Sequence, residues 1–446
     1  MRYVMSRLRQ VAALLAIALA CAAAPAAGGP RPARPNVLLI VLDDARPEAM
    51  AAMPRTSAWL SGGTTYPQAV AATPSCGPSR ATLLSGRYAH NHGVRRQADI
   101  NRLDHDRTLQ QTLRGNGYRT AAVGKLYNDW PLDRRPPGFD RAALTGGGYA
   151  DARFVVDGTE RRAAYSTTFI GAQARRYLDE FESHDDQPWL LYLGFTAPHA
   201  PYTPEPAYAG RGFPGRADPA ADETDRSDKP AYVRRHHTTR AEGEAVRTGQ
   251  LRTLLSVDDA LDEVRAHLAR TGELRDTLVV LVSDNGKQWA EHGLGEKFMP
   301  YGPSFRVPLR LWWPGHVAAG ADPRPASTVD VTPTVLAATG LAAPGPVDGL
   351  DLRGTRRHRW LLLEYWRDPH NGGFPTWSSR LLPGAHQYTE YRGGADRLTD
   401  REYYDLRADP WQLTNLLGGG AGGAPGTRRD AEALTAARTC AGAVCP

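Results

Sequence analysis

The run Val37-Leu38-Leu39-Ile40-Val41-Leu42-Asp43-Asp44 decides the fold class of this chain. Its consecutive apolar side chains leave no polar face, so the segment reads as a strand buried on both sides, the habit of parallel sheets. Thr120–Val123, Leu190–Phe195, Leu278–Val282 and Leu309–Trp312 are likewise continuous rather than alternating. Between them, Leu109–Arg114, Phe169–Phe181 and Leu251–Leu268 have helical spacing. Strands alternating with helices over this length predict an α/β fold, a large mixed and mostly parallel sheet sandwiched by helices. From about residue 355 the texture changes. Trp360–Trp366, Gln387–Arg392 and Glu402–Leu406 are short, aromatic-rich and separated by Gly and Pro, which predicts a smaller C-terminal antiparallel-sheet subdomain.

The residues just beyond each strand are more informative than the strand itself. The first runs into Asp43-Asp44, the second into Gly124-Lys125, the third into Pro198-His199 and the fourth into Asp284-Asn285-Gly286. Ligands of open parallel sheets bind outside the carboxyl ends of the strands. One such tip is better explained by the liking of Asp, Asn and Gly for turns. Four together deliver acids, a lysine, a histidine and an amide to one edge.

The chain has 446 residues, 41% hydrophobic and 23% charged, with 45 Gly, 35 Pro and 4 Cys, which excludes a disulfide-stapled mini-protein, a collagen-like fibre and a wholly disordered chain. Arg2, Arg7 and Arg9, the apolar Val11–Ala20 and the small residues up to Ala27 form a signal peptide over residues 1–27, so the mature protein is expected to be secreted. The apolar run is too short to span a membrane and is broken by Pro25. Ala18-Leu19-Ala20-Cys21 also reads as a lipoprotein site that would leave Cys21 acylated; the secreted reading is preferred. Losing the three arginines takes the formal charge from +6 to +3, so the basic balance is no nucleic-acid footprint. The remaining chain divides into an α/β domain over 36–350, the antiparallel subdomain over 355–417 and a Gly-rich linker with a short tail over 418–446. Pro201–Arg240, rich in Pro, charge and His, reads as a long loop too polar for core.

The strongest motif is Cys76-Gly77-Pro78-Ser79-Arg80-Ala81-Thr82-Leu83-Leu84-Ser85-Gly86-Arg87. A lone Cys in such a setting is ordinarily a small buried hydrophobe. Here the stretch resembles the type I sulfatase signature C-x-P-S-R-x-x-x-L-x-G-R, whose fixed positions would match by chance on the order of once per billion starts. The resemblance to these sulfatases of the alkaline-phosphatase superfamily runs over nearly the whole mature chain. It implies that a formylglycine-generating enzyme oxidises Cys76 during export to formylglycine (3-oxoalanine), whose hydrated aldehyde attacks the sulfur of a sulfate monoester. The second diol oxygen then expels sulfate, an exit that a serine would lack.

The resemblance further implies that Asp43, Asp44, Asp284 and Asn285, with residue 76, hold a divalent metal. All-oxygen donors suit Ca²⁺, the family's usual occupant, with Mg²⁺ possible, and disfavour zinc. Arg80 resembles the arginine that orients the diol, Lys125 and Lys297 the lysines that clamp the sulfate, and His199, in Ala197-Pro198-His199-Ala200-Pro201, the leaving-group acid. Each basic residue taken alone would be a solvated surface group. One departure matters: many sulfatases read G-K-x-H after the second strand, and this chain reads Gly124-Lys125-Leu126-Tyr127-Asn128. The usual elimination base is missing from its place, leaving His292, Asp43 or water, and Asn128 is a candidate contact to substrate or sulfate. Gly-Lys followed by Tyr and Asn looks more like the branch acting on 6-sulfated glucosamine and heparan-type sugars. Val329–Thr334 and Tyr403–Leu406 resemble family segments that need only a packing role. A phosphonate or phosphate ester hydrolase of the superfamily, or a non-catalytic sugar-binding homologue, are the rival readings. Cys440 and Cys445, close together in an oxidising compartment, are expected to form a local disulfide.

Overall fold

Strand β1 (Asn36–Leu42) has every residue buried, and the two faces of its pleat feed two separate cores. Leu38, Ile40 and Leu42 join the layer that includes Ile170, Ala174, Leu254 and Leu261 from the helices Ser166–Glu182 and Arg240–Thr271. Val37, Leu39 and Val41 join the opposite layer with Leu83, Leu84, Leu113 and Val335. The period of two in a strand sends alternate side chains to opposite faces, and both faces are covered, so no polar position is needed. Each fully buried Leu, Ile or Val contributes about 1.5–3 kcal/mol relative to exposure.

The computed structural model describes residues 34–183, 186–418 and 426–446; the leader, Cys21 and most of the Gly-rich linker lie outside the described residues. In chain order the remaining strands of the large sheet are β2 (Thr64–Thr65), β4 (Arg119–Gly124), β5 (Arg141–Leu144), β6 (Ala150–Val156), β7 (Thr159–Tyr165), β8 (Trp189–Gly194), β9 (Thr277–Ser283), β10 (Leu309–Trp312) and β11 (Gly320–Ala321), while β3 (Ala69–Val70) pairs separately with β12 (Ala326–Ser327). The ten-stranded order is β11-β2-β10-β9-β1-β8-β4-β5-β6-β7. Strands β9, β1, β8, β4 and β5 run parallel, and antiparallel strands close the sheet on both sides. The β6–β7 hairpin was not expected: most of its exposed residues carry charges, and no long apolar run marks it.

The helix expected over Leu251–Leu268 begins earlier, at Arg240, because Thr239 and Glu242 form a capping box that satisfies its first N–H groups, and Gly272 in a left-handed conformation ends it. Pro201–Arg240 is largely irregular, as expected, yet it is not wholly a surface loop. Asp218 and Lys229 are buried: Asp218 pairs with Arg216, and Lys229 sits 3.1 Å from Glu223. Partnered charges can enter the interior, which composition alone does not show.

The second sheet is antiparallel, β13 (Leu361–Tyr365), β14 (Thr376–Leu382), β15 (His386–Arg392) and β16 (Leu398–Asp405) in sequential order. Strand β14, with Ser and Arg among its apolar residues, was the one missed. Residues 35–446 form one compact unit. The small sheet joins the large body through a shared apolar layer in which Leu361, Leu363 and Trp377 meet Leu294, Phe298 and Met299. Cys440 and Cys445 are disulfide-bonded beyond the helix Thr427–Ala437.

Candidate active site

Strand register brings the acids together. Asp284 N–H donates to Leu42 O (3.0 Å) and Asp43 N–H to Ala197 O (3.2 Å), so the tips of β1, β9 and β8 are tied side by side. Asp44 takes a φ of 71°, a left-handed conformation that Asp tolerates better than most residues, and its N–H donates to Asp284 Oδ1 (3.2 Å). At the end of β4, Gly124 has a φ of +96°, and a Cβ there would lie 2.0 Å from Gly194 O. Only glycine allows the chain to turn here and present Lys125 to Asp43.

Cys76 is the first residue of the helix Cys76–Ser85, every residue of which is buried and which ends at Gly86 in the left-handed region. Its Sγ lies 3.4 Å from Asp43 Oδ1 and accepts from Lys297 Nζ at 2.7 Å. Lys297 also bonds Asp44 Oδ1, and Lys125 bonds Asp43 Oδ2. Arg80, one helical turn after Cys76 and so on the same face, donates from Nε to Asp284 Oδ2 (2.7 Å) and from Nη1 to Lys125 O (2.6 Å) and Tyr192 Oη (2.9 Å). Its Nη2 stands 3.5 Å from Asp43 Oδ2.

Three carboxylates thus face three cations. Burial pushes the Asp43 carboxyl up, but Lys125, backed by His199, Arg80 and Lys297, outweighs burial and holds it far below the usual range. Asp44 is lowered in the same way, with Lys297 overcoming burial. Burial and the neighbouring Asp43 raise Asp284. Lys125 and Lys297 are raised because Asp43 and Asp44, respectively, outweigh the desolvation that would lower them. Burial, with Asp43 beside it, pushes the Cys76 thiol up to about 12, so an unmodified Cys76 is a neutral thiol.

The donor set fits a hard divalent cation. Asn285 donates from Nδ2 to Asp44 Oδ1 (2.6 Å) and Gly286 O (2.8 Å), whereas its buried Oδ1 has no hydrogen-bond partner. An orphaned buried carbonyl oxygen beside three carboxylates is what an oxygen-seeking cation would satisfy. Ligand atoms of Asp43, Asp44, Cys76 and His199 lie within 4.8 Å of one another. Since the protein charges already balance, a divalent ion would leave the site net positive, matched to an anionic ester.

Above this floor opens a cleft of about 850 Å³ whose lining includes Asn128, His199, Tyr202 and the turn Asp368–Phe374 of the small sheet. His199 places Nε2 3.9 Å from Asp44 Oδ2, while its Nδ1 pairs with Ala200 O at 3.0 Å. With Nδ1–H donated to that carbonyl, Nε2 is the ring nitrogen left available for exchange. Asn128 Oδ1 is buried without a partner at the cleft wall. His292 is not brought to the cleft. Its Nδ1 pairs with Glu223 Oε2 (2.8 Å), and it lines a separate small cavity with Arg46 and Glu291. Tyr127, where an elimination histidine usually stands, packs against His105 and Trp130 and is bonded by Gln110 Nε2.

Sequence reading missed the frame around Lys297. Phe298, the next residue, has a φ of 79°, and its carbonyl accepts from Trp377 Nε1 at 2.8 Å. Gln387 Nε2 donates to Pro300 O (2.7 Å), Gly302 N–H to Gln412 Oε1 (2.8 Å), and Tyr301 Oη to the buried Glu402 (2.7 Å). The small sheet and the loop that follows it therefore hold the segment that aims Lys297. The sequence carried no clear signal for this, since Gln387 is one of several polar residues in the strand His386–Arg392.

Known proteins agree with this architecture. The profile of the family described as Sulfatase matches residues 35–341. The chain is 26% identical over 366 residues to the putative extracellular sulfatase Sulf-1 homolog of Caenorhabditis elegans, covering 75% of this chain and 51% of that protein, so it spans about half the length of that relative. It is 26% identical over 479 residues to the N-acetylglucosamine-6-O-sulfatase of Bacteroides thetaiotaomicron, covering 86% of this chain and 83% of that one. A solved structure of a protein in complex with its substrate D-glucosamine-2-N,6-O-disulfate shares the fold at a TM-score of 0.81 and 21% identity, covering 91% of this chain and 97% of the other. With its signature helix at the tips of the same strands, the chain belongs to the sulfatase family.

Proposed function

We propose that this protein is a sulfuric ester hydrolase that cleaves sulfate monoesters of amino sugars, using residue 76 after oxidation of its cysteine to formylglycine by a maturation enzyme. The position of Cys76 carries the reading. It is buried on the cleft floor between Asp43 Oδ1 and Lys297 Nζ, where a thiol pushed up to about 12 is a poor nucleophile but an anionic oxygen would be well held. Formylglycine, once formed, supplies a hydrated aldehyde with two oxygens on one carbon. Asp43, Asp44, Asp284 and Asn285 would hold Ca²⁺, or Mg²⁺, which supplies Lewis acidity there.

The residues present divide the remaining work. Lys125 and Lys297 meet the sulfate oxygens with fixed positive charge, a contribution that grows in a water-poor site. Arg80 braces Asp284 and Asp43 and so keeps the carboxylates aimed. His199 Nε2 gives the leaving oxygen its proton. With Tyr127 and His292 engaged elsewhere, Asp43 Oδ1, 3.4 Å from the residue-76 heteroatom, is the nearest acceptor for the proton lost in the elimination step. Asn128, whose free Oδ1 accepts from a hydroxyl or N–H of the sugar, contacts the substrate. The names of the relatives support the amino-sugar class and, with the leader over residues 1–27, secretion.

The test is a side-by-side assay of converted enzyme on an aryl sulfate, a phosphate monoester, a phosphodiester and a phosphonate, then on 6-sulfated glucosamine. Sulfate should be the fastest ester. Faster phosphonate turnover would put the chain with the phosphonate hydrolases, and no turnover of any ester would leave a sugar-binding homologue.

A further inference from the structure

At the far end of β13 from the catalytic cleft lies a second cleft of about 790 Å³, lined among others by Arg356, Arg357, Arg359, Trp360 and the C-terminal tail. The three arginines are exposed and, among the described residues, make no hydrogen bond or ion pair. Asp322, the carboxylate whose charge Arg357 reaches, is already held by Arg324. Trp360, mostly buried, forms part of the floor, with the Arg380 guanidinium 5.3 Å from its ring centre.

The opposite wall is firmly built. The tail is closed by the Cys440–Cys445 disulfide, and its carbonyls pair with His90 Nε2 (Cys440 O, 2.9 Å) and His358 Nδ1 (Pro446 O, 2.6 Å), while Gly442 N–H donates to Asp348 Oδ1 at 2.7 Å. Unpaired guanidinium groups in close array repel one another, and among the described residues no Asp or Glu lines this cleft to balance them. Planar forks beside an aromatic floor are suited to sulfate groups on a chain of sugar rings.

We propose that this groove is a binding site for a polyanionic, sulfated polysaccharide, separate from the catalytic cleft. The choice of polysaccharide over other polyanions rests on the function proposed above. Strand β13 has five residues, so it spans about 17 Å between the groove and the turn Asp368–Phe374 that lines the catalytic cleft. A polymer held at one end of β13 keeps its other units close to the reacting end, which raises their effective concentration.

The probe is fluorescein-labelled dextran sulfate, titrated by anisotropy into the full chain over a range of salt. The triple variant Arg356→Ser, Arg357→Ser, Arg359→Ser should bind about tenfold more weakly at low salt, with the salt slope reduced by roughly two, as expected for three lost charge contacts to a single chain. A control lacking three exposed arginines elsewhere, Arg114→Ser, Arg161→Ser, Arg275→Ser, should bind as wild type, and small aryl-sulfate turnover should be unchanged in both. Should the triple variant not fold, Arg357→Glu alone must still weaken binding. Equal weakening in the control, no weakening in the triple variant, or tighter binding of an oligothymidylate through the same arginines overturns the proposal. Binding of dextran sulfate that depends on these arginines in a converted enzyme inert to aryl sulfate supports the groove and removes only the catalytic reading.

Discussion

Lys297→Met tests how charge is balanced on the cleft floor. The substitution keeps an unbranched side chain of similar length and removes the ammonium that bonds both Asp44 Oδ1 and Cys76 Sγ. Without a metal ion, three carboxylates then face only Arg80 and Lys125. Two unit charges about 4 Å apart attract by about 4 kcal/mol at an effective dielectric constant of 20. Removing one partner of a buried pair costs about 3–5 kcal/mol. The metal-free variant should therefore melt well below the metal-free wild type. A divalent cation meets an uncompensated carboxylate in the variant, whereas in the wild type it must compete with Lys297 for Asp44. If half or more of the pair energy is recovered, about 2–4 kcal/mol, the cation binds about 30- to 1,000-fold more tightly to the variant. Thermal unfolding in chelator and then in a Ca²⁺ series reads both effects, since ligand stabilisation follows the logarithm of its concentration over Kd. Turnover of an aryl sulfate by converted enzyme should fall about 10²- to 10³-fold, the usual loss for a donor aimed at developing charge. A Ca²⁺-induced rise in Tm no larger in the variant than in the wild type would refute the reasoning, as would activity within tenfold of normal.

Other contacts carry further expectations. Because burial pushes the Cys76 thiol up to about 12, unconverted protein should resist iodoacetamide at pH 8 while folded and react at once in denaturant; rapid native-state labelling would contradict the burial. Trp377→Phe keeps an aromatic ring but leaves the Phe298 carbonyl without its 2.8 Å donor, so stability should fall by about 1–3 kcal/mol and kcat should fall more than KM rises, read by denaturant melts and steady-state kinetics. His90 and His358 are desolvated, which alone would lower them, yet Glu364 and Asp330 respectively outweigh burial and raise both above 6.5 in the folded state. Their contribution is then fully present below pH 6.5 and is lost as pH rises through the folded values, so hydrogen exchange of the tail segment 440–446 should quicken with pH beyond its intrinsic rate. His358→Gln should flatten that extra dependence.

The parts of this molecule that were legible in the sequence are those where one local rule governs. The unbroken apolar run of β1 reads as a doubly covered strand, and Asp43, Asp284, Lys125 and His199 were visible because each lies in the turn beyond such a run. Cys76 and Arg80 were legible through motif spacing, since one helical turn puts both on one face. The features that could not be read depend on distant partners. His292 looked available as a base, but Glu223, far off in the chain, holds its ring in another cavity. Lys229 sat in a stretch too polar for core, and its buried ammonium is taken up by Leu413 O at 2.6 Å, far along the chain. The β6–β7 hairpin carries its charges on an edge that composition reads as loop, and the frame of Lys297 is assembled from Trp377 and Gln387 in a different sheet and from Gln412 in the loop beyond it. The need for glycine at position 124, whose positive φ turns Lys125 into the site, shows only in the structure.

The most direct test of the central claim is the fraction of residue 76 present as formylglycine, measured by mass spectrometry of the peptide spanning that residue, in preparations of graded conversion whose sulfate-release rates are known. The account predicts a rate proportional to the converted fraction, passing through zero where every residue 76 is still cysteine. Sulfate release by a preparation in which residue 76 is wholly thiol would contradict it.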